Sequence, residues 1–486
     1  IVGLPDTAVK ESIERVKSAI INSGYKYPKT QSLVNLAPAD VKKVGPAFDL
    51  PVALGMLIGQ RILVNSSIKD FIIVGELALD GRVRPVNGVL SMAMTAKAAG
   101  FSRMIVPVEN AKEAAVVADI EVYGVGSLAQ AAGFLSGQLP LETTSVNITE
   151  LFDVASNYEV DFADVKGQES VKRALTVAAA GGHNIMMIGP PGAGKTMLAQ
   201  RLATILPPLG LQESLETTRI YSSIGLLGKN RALLATRPVR MPHHTASGPA
   251  LIGGGTTPRP GELSLAHFGI LFLDEFVEFP RHVLEMIRQP LEEGYVIVSR
   301  AKKTVRFPAQ FMLVAAMNPC PCGYFGSDTR RCKCTPGQIE RYLSKVSGPL
   351  VDRIDIHIDV PAVTFSKLRS RSSQLDSATV RADVLRAREV QVKRFAPASS
   401  CRKTGAGVGS ITNARMTHKQ VRKFCELDSA SEMLLKQAMT ELGLSARAHD
   451  KICKVARTIA DLASQENIRP EHVAEAISYR KLDRKF

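Results

Sequence analysis

The stretch HNIMMIGPPGAGKTMLAQRLA (183–203) decides how this chain folds. Its apolar run IMMI reads as a buried strand, its prolines and glycines as a loop, and MLAQRLA as a helix beginning at Lys195. GPPGAGKT (189–196) meets G-x-x-x-x-G-K-[ST] at every defined position. Backbone N–H groups of such a loop point at phosphates, Lys195 reaches the terminal ones, and the Thr196 hydroxyl ligates Mg²⁺. Gly189, Pro190, Pro191, Gly192, Ala193, Gly194, Lys195, Thr196 and Met197 are therefore the expected nucleotide-binding segment. Strand, loop and helix in this order open a parallel sheet, so an α/β fold is expected.

Downstream, GILFLDEF (269–276) supplies a second buried strand that delivers Asp274 and Glu275 at its C-terminal end. At that distance from a phosphate loop, Asp274 is expected to hold Mg²⁺ and Glu275 to polarise an attacking water. QFMLVAAMNP ends in Asn318, placed either to reach a γ-phosphate or only to turn the chain before Pro319. In SGPLVDRIDIHIDV (347–360), Arg353 precedes an alternating strand, and an ion pair with Asp352 or Asp355 is its other use. Arg447, in LSARAHDKICKVARTIADL, opens a helix with an apolar stripe behind it. From about 376 onward the periodicity is helical.

Two further segments exceed a bare nucleotide-binding sheet. RPVRMPHHTASGPALIGGGTTPRPGELSLAHFG (237–269) interrupts the route to Asp274, and YVIVSRAKKTVRFP (295–308) reads as a hairpin turning at Ala301-Lys302-Lys303. CPCGYFGSDTRRCKC (320–334) holds two Cys-x-Cys pairs. Four thiolates at close range suit tetrahedral Zn²⁺, although paired zinc ligands usually stand two or more residues apart. Cys320, Cys322, Cys332 and Cys334 are thus candidate zinc ligands, with unliganded thiols and redox pairing as the alternatives. Arg330, Arg331 and Lys333 make the intervening loop basic. Cys401, Cys425 and Cys453 stand alone, and the last two, on helices, read as core or surface fillers.

Across 160–486 these motifs together resemble the AAA+ ATPases, in the magnesium-chelatase-like branch. The resemblance implies ATP and Mg²⁺ as ligands and a homo-hexameric ring. It also implies roles: Asn318 as first sensor, Arg353 as an arginine finger completing a neighbour's site, Arg447 as second sensor on a helical lid. Residues 237–269 and 295–308 are similar to that branch's helix-2 insert and pre-sensor hairpin, which project into the pore. Lys302, Lys303, His243 and His244, with Arg330 and Arg331, are then the candidates for gripping a nucleic-acid backbone. A solvated turn is the other reading of the lysine pair.

Upstream, residues 1–135 alternate helical and strand signals. TAVKESIERVKSAIIN (7–22) has Val9, Ile13, Val16 and Ile20 at helical spacing, and LVNLAP, FIIVGEL, RMIVPV and VYGV read as strands, with AKEAAVVA a helix between the last two. GELALDGRVRPVNGVLSMAMTAKAAGFSRMIVPVENAKEA resembles a Lon-type protease domain. Lon proteases carry a nucleophilic Ser in G-P-S-A-G and a Lys after G-G-L. The matching stretches here are GPAFD, with Ala47 at the Ser position, and NGV, followed by Leu90. Neither side chain can attack or accept a proton, so peptidase chemistry is not expected.

The domain reading is a Lon-like α/β domain without its Ser–Lys dyad (1–135), a linker (136–160), an AAA+ parallel-sheet core (161–370) and a helical lid (371–486). A Lon-like domain ahead of a magnesium-chelatase-like module resembles the ComM/YifB family of bacterial competence proteins. That resemblance implies a helicase driving branch migration as transforming DNA is integrated, acting on single-stranded or branched DNA beside recombination proteins. A chelatase-type motor that remodels a protein partner shares every ATPase motif and stands as the alternative.

Charge bears on that choice. Residues 1–150 hold 14 Lys and Arg against 14 Asp and Glu, leaving 47 against 32 for 151–486, so the whole +15 lies in the second part. A polyanion partner or a basic surface kept for solubility both follow. No apolar run reaches 18 residues, so no membrane helix is expected. Seven cysteines, four of them crowded together, suit a reducing cytoplasm better than a secreted disulfide framework. The first residues, IVGLPD, carry no signal-peptide pattern and suggest a chain that begins inside a domain.

Overall fold

The computed structural model describes residues 2–3, 7–29, 32–38, 43, 45–64, 67–155, 158–228, 231–255, 258–300, 303–326, 330–363, 375–399 and 411–480. They divide into two compact units, Ile1–Val154 with Ser214–Ala235, and Ala155–Glu213 with Thr236–Phe486.

The first unit opens with α1 (Thr7–Asn22) and α2 (Asp49–Gly59), followed by β1 (Phe71–Ile73) and a short antiparallel pair, β2 (Glu76–Leu77) and β3 (Val83–Arg84). Then come α3 (Val89–Ala98), β4 (Arg103–Pro107), α4 (Ala111–Ala114), β5 (Glu121–Val125), α5 (Leu128–Leu135) and α6 (Ile148–Ala155). β1, β4 and β5 form a parallel sheet in that order. On α1 the buried stripe is Val9, Ser12, Val16, Ala19 and Ile20, whereas Ile13 is 38 % exposed. Ser12 tolerates burial because its hydroxyl donates to the Val9 carbonyl.

Three expectations change here. LVNLAP contributes only an isolated bridge, Val2 to Asn35, with Leu33 exposed and Pro38 lacking an N–H for a ladder. AKEAAVVA forms just the four residues of α4. Residues 136–160, read as a linker, contain α6, whose Ile148 and Leu151 pack with Val116, Ala232 and Leu233.

Ala47 and Leu90, read above against the Ser and Lys of a Lon-type dyad, occupy packing positions. Ala47 packs against the cluster containing buried Val89, Leu90 and Ala93. The Leu90 N–H, one of the orphan donors at the start of α3, is taken by Glu113 Oε1 at 2.9 Å. The Ser222 hydroxyl donates to the same carboxylate, and the Ser222 carbonyl accepts from the Gly88 N–H at 3.0 Å. These bonds account for the membership of residues 214–235 in the first unit. Asp49, two residues past Ala47, is fully buried and receives Arg15 Nε at 2.8 Å. GPAFD therefore serves as a structural turn into α2.

The second unit begins with α7 (Glu169–Gly181), β6 (Ile185–Ile188) and α8 (Lys195–Ile205), and the start of α9 (Leu211–Ser223). Next are β7 (Val239–Arg240), α10 (Gly248–Ile252), the small hairpin β8 (Gly253–Gly254) and β9 (Arg259–Pro260), α11 (Glu262–Leu265), β10 (Ile270–Leu273) and α12 (Arg281–Glu293). A longer hairpin, β11 (Tyr295–Arg300) and β12 (Lys303–Pro308), leads to β13 (Met312–Met317), α13 (Pro336–Leu343), α14 (Gly348–Val351) and β14 (Ile356–Asp359). The main sheet is parallel in the order β14-β6-β13-β10-β7. Its three central strands, β6, β13 and β10, are apolar on both faces, as a doubly covered sheet requires, whereas the outer strands β14 and β7 carry His357, Asp359 and Arg240. Ile185, Met187, Ile270, Phe272, Val314 and Ala316 face one cluster, and Met186, Ile188, Leu271, Leu273, Leu313 and Ala315 face the other.

Beyond the sheet are α15 (Ser377–Ser399), α16 (His418–Phe424), α17 (Ser429–Leu442), α18 (Ala446–Leu462) and α19 (Pro470–Ser478). Buried Asp461 ties them together, accepting from Arg394 Nη1 at 2.8 Å, Asn413 Nδ2 at 2.8 Å and Arg457 Nε at 3.0 Å. Among the described residues no helix is long and apolar enough to cross a membrane. The α/β class with a parallel sheet and many helices is the one expected.

Candidate functional site

Parallel pairing sets the site. Ile188 lies opposite Met317, and Leu273 opposite Ala315, so β6, β13 and β10 end on the same side of the sheet. The residues leaving those ends are the phosphate loop, Asn318, and Asp274 with Glu275. Residues far apart in sequence thus converge at the carboxyl edge, the usual ligand crevice of such sheets.

Gly192 (φ 76°) and Gly194 (φ 84°) carry the loop through left-handed conformations into α8, whose first N–H groups have no intrahelical acceptors. Lys195 is buried, and its Nζ donates to the Gly189 carbonyl at 2.7 Å, the Pro190 carbonyl at 3.0 Å and Asn318 Oδ1 at 3.1 Å. Burial pushes its pKa down, against the opposing pull of Asp274. An anion beside it would relieve the desolvated ammonium. The Thr196 hydroxyl donates to Asp274 Oδ2 at 2.6 Å, and the other oxygen, Oδ1, accepts the Glu275 N–H at 2.9 Å. A hydroxyl and a carboxylate side by side suit Mg²⁺, a hard cation that takes oxygen donors.

These groups line one cavity of about 670 Å³, formed by Pro191 to Met197, Asp274, Glu275, Asn318, Met241, Pro242, His243, His244, Phe272 and Met317. That volume lies within the range of small-molecule sites, roughly 300–1,000 Å³. Gly189 and Pro190 stay outside the lining and act through their carbonyls. Met241, Pro242, Phe272 and Met317 were not singled out from sequence. Phe272 and Met317 sit beside residues that were, and Met241 and Pro242 follow β7, which ends on the same edge.

His243 and His244 are placed otherwise than expected. Both line this cavity, their rings 4.1 Å apart. His244 Nδ1 stands 3.0 Å from Glu275 Oε2, and His243 Nδ1 2.8 Å from Thr245 Oγ1. Glu275 itself takes φ 50°, an uncommon backbone for a non-glycine residue and one typical of functional sites.

The two remote arginines are absent from the cavity lining. Arg353 is 12 % exposed and paired through Nη2 with Glu292 Oε1 at 2.7 Å, while its Nη1 donates to the Pro349 carbonyl at 2.6 Å. Its partner is thus Glu292, at the end of α12, instead of Asp352 or Asp355. Arg447 is exposed in the first turn of α18, behind the cap that Ser445 provides.

In the hairpin, Lys303 lies in the β12 ladder opposite Arg300, not in the turn; Lys302 lies outside the described residues. Arg330 and Arg331 are exposed, with the Arg330 guanidinium 5.0 Å from the Tyr324 ring centroid. The four loop cysteines converge: Cys320 to Cys322 is 3.4 Å, Cys322 to Cys332 3.5 Å and Cys320 to Cys332 3.7 Å, sulfur to sulfur. With Cys334 they fall within 4.8 Å of one another, a group able to hold a metal ion. Cys425 and Cys453 are buried in the helical part, and Cys401 lies outside the described residues.

Comparison with known proteins agrees with this architecture. The profile for magnesium chelatase, subunit ChlI, matches residues 161–368, that for subunit ChlI of Mg-chelatase residues 1–110, and that for its C-terminal part residues 374–480. The chain is 44 % identical over 487 residues to the competence protein ComM of Haemophilus influenzae, covering 100 % of this chain and 92 % of ComM. It is 42 % identical over 484 residues to YifB of Escherichia coli, covering 99 % and 91 %. Likeness to the magnesium-chelatase 38 kDa subunit of Rhodobacter capsulatus is 27 % over 177 residues, 32 % of this chain and 50 % of that one. With its sheet order, phosphate loop and full-length likeness, the chain belongs to the ComM/YifB family, in the magnesium-chelatase-like branch of the AAA+ ATPases.

Proposed function

We propose that this chain is the subunit of an ATP-driven DNA helicase or translocase, a homo-hexameric ring working on single-stranded or branched DNA in the bacterial cytoplasm. Its task is branch migration and the integration of transforming DNA during homologous recombination, beside recombination proteins. The observation that carries the reading is the single cavity uniting Lys195, Thr196, Asp274, Glu275 and Asn318. Lys195 and the loop amides bind the ATP phosphates; Thr196 and Asp274 would hold Mg²⁺, which supplies charge neutralisation when bound. Glu275 takes a proton from the attacking water, and the Asn318 amide orients the terminal phosphate or that water. Arg353 of a neighbouring subunit completes the site, and Arg447 reports nucleotide state through the helical lid.

Nucleic acid as the substrate is supported by the charge surplus confined to residues 151–486 and by exposed Arg330 and Arg331. The hairpin with Lys302 and Lys303 offers a pore element. Residues 1–135, without a Ser–Lys pair, serve assembly or docking, ahead of a motor (161–370) and its lid (371–486). The four-cysteine cluster would hold a structural Zn²⁺: a Zn–S distance of about 2.3 Å makes the edge of a sulfur tetrahedron about 3.8 Å, and the sulfurs of Cys320, Cys322 and Cys332 stand 3.4–3.7 Å apart, with Cys334 within 4.8 Å of them.

The runner-up is a chelatase-type motor acting on a protein partner, favoured by the chelatase-subunit profiles along the chain. ATPase rate measured against protein concentration, with and without single-stranded or forked DNA, separates them. Cooperative concentration dependence with salt-sensitive stimulation by DNA is expected. A rate indifferent to DNA at every salt concentration sinks the helicase reading and leaves the chelatase-type one.

A further inference from the structure

We propose that the metal held by Cys320, Cys322, Cys332 and Cys334 is a positioning device for the nucleotide cavity, so that metal occupancy sets how tightly ATP binds and how fast it is hydrolysed. The inference rests on the zinc reading of the cluster given above.

The described residues of the loop between β13 and α13 bury little of their surface. Among its described residues from 319 to 335, only Cys320 and Gly323 are buried. Pro319 and Phe325 line an open cavity of about 380 Å³ with Ile188, Pro336, Ile339, Glu340 and Leu343, so this side of the loop is not packed into a core. Phe325, its largest apolar side chain, is 46 % exposed. A segment with so little buried surface gains its shape from a cross-link, and four convergent sulfurs are that cross-link.

What the loop touches gives the cross-link a role. Cys320 follows Asn318 by two residues, and Asn318 Oδ1 is an acceptor for Lys195 Nζ. The Gly323 N–H closes a turn onto the Cys320 carbonyl at 2.9 Å. That turn lies against the phosphate loop: a Cβ at Gly323 (φ 81°) would stand 2.6 Å from Pro191 Cδ and 3.8 Å from Asn318 Cγ. The metal-bound end of the loop thus backs two walls of the cavity, Pro191 and Asn318. With the sulfurs unlinked, both walls lose much of their backing, because the loop buries little apolar surface beyond Cys320. The four cysteines and Gly323 are positioning residues in this scheme, acting on ATP through Pro191 and Asn318.

The test uses the full chain, with metal content, metal spectrum, ATP affinity and steady-state kinetics read separately. The purified protein should carry about one Zn²⁺ per chain, and Co²⁺ exchanged into it should show thiolate charge-transfer and tetrahedral ligand-field bands. C332S/C334S should lose the metal, with KM for ATP raised and kcat lowered, each roughly ten-fold, the direction expected when a supporting shell is loosened. A loop that served only fold stability would reduce the active fraction and leave KM unmoved. Because the double variant can fail by misfolding, G323A is the second arm. It keeps all four ligands but drives a methyl into Pro191, so metal content should hold while KM rises roughly ten-fold. The coupling is overturned if metal-free protein keeps KM and kcat within about two-fold, or if G323A leaves KM unchanged. Wild-type protein that neither carries Zn²⁺ nor takes up Co²⁺ overturns the zinc reading and the inference with it. Failure of every form to bind ATP instead sinks the nucleotide-site assignment.

Discussion

His244 Nδ1 sits 3.0 Å from Glu275 Oε2, so the carboxylate assigned to water activation is engaged by a neighbour in the same cavity. Glu275 is 57 % exposed and His244 30 %, which makes the contact a weak one of about 0.2–1 kcal/mol. A hold of that size is easily broken by ligand binding. H244A should raise DNA-free ATP hydrolysis, by roughly two- to five-fold on that energy scale, and shrink the stimulation by DNA. A fall in the basal rate would instead make His244 part of the hydrolytic apparatus.

Glu275 carries the general-base assignment on geometry alone. Substituting E275Q keeps size and hydrogen bonding but removes the acceptor for the water's proton. Hydrolysis should drop by about 10²–10⁴-fold, with ATP affinity and assembly kept. Equilibrium nucleotide binding, sedimentation and strand displacement on forked DNA check the three parts. Wild-type unwinding by this variant would end the assignment.

Arg353 is tied to Glu292 and the Pro349 carbonyl of its own chain, and under the proposed role it would have to let go to serve a neighbour. R353A is expected to cost about 10³-fold or more in ATPase rate with nucleotide binding intact. Mixing it one-to-one with K195A should restore activity, to roughly a quarter of the sites if subunits mix at random, since only pairs combining the two intact halves work. Mixtures that stay inactive would confine Arg353 to holding α12 in place.

Asp355 anchors the helical part to the sheet through Lys451 Nζ at 2.8 Å and its bond from the Asn184 N–H at 3.0 Å. Burial alone would raise its pKa, yet Lys451 and His183 hold the carboxyl below the ordinary carboxylate range. D355N leaves Lys451 buried without its partner and should cost about 3–5 kcal/mol. The pH dependence has a definite sign. A native pKa below the unfolded value of about 3.9 stabilises fully above roughly pH 5 and is lost as pH falls through the native value. Thermal melts should show a gap between wild type and D355N that is constant from pH 5 to 8 and narrows toward acid. A gap unaffected by acid would mean the charge pair contributes nothing.

The phosphate loop, the Asp274 strand and Asn318 were legible from the chain because each is a local arrangement. Four apolar residues followed by a glycine-rich turn can only deliver their next side chains at a strand's end. Of Ala47 and Leu90 the structure shows only that they pack in one apolar cluster. Where periodicity was thin, as in 136–160 or LVNLAP, the sequence did not foretell the outcome, because a few tertiary contacts outweigh weak local preference.

Local chemistry along the chain therefore determined the phosphate-loop motif and the α/β class by itself, since backbone amide geometry and strand burial depend on near neighbours. Only the tertiary structure decided who meets whom. It put His243 and His244 into the cavity of Lys195 and Asp274, gave Arg353 to Glu292, and gathered residues 214–235 with the first unit. It also brought four sulfurs together behind Pro191 and Asn318. Those pairings join residues tens to hundreds of positions apart. What fixes them is the parallel register of the sheet and the burial it enforces, which no short window of sequence contains.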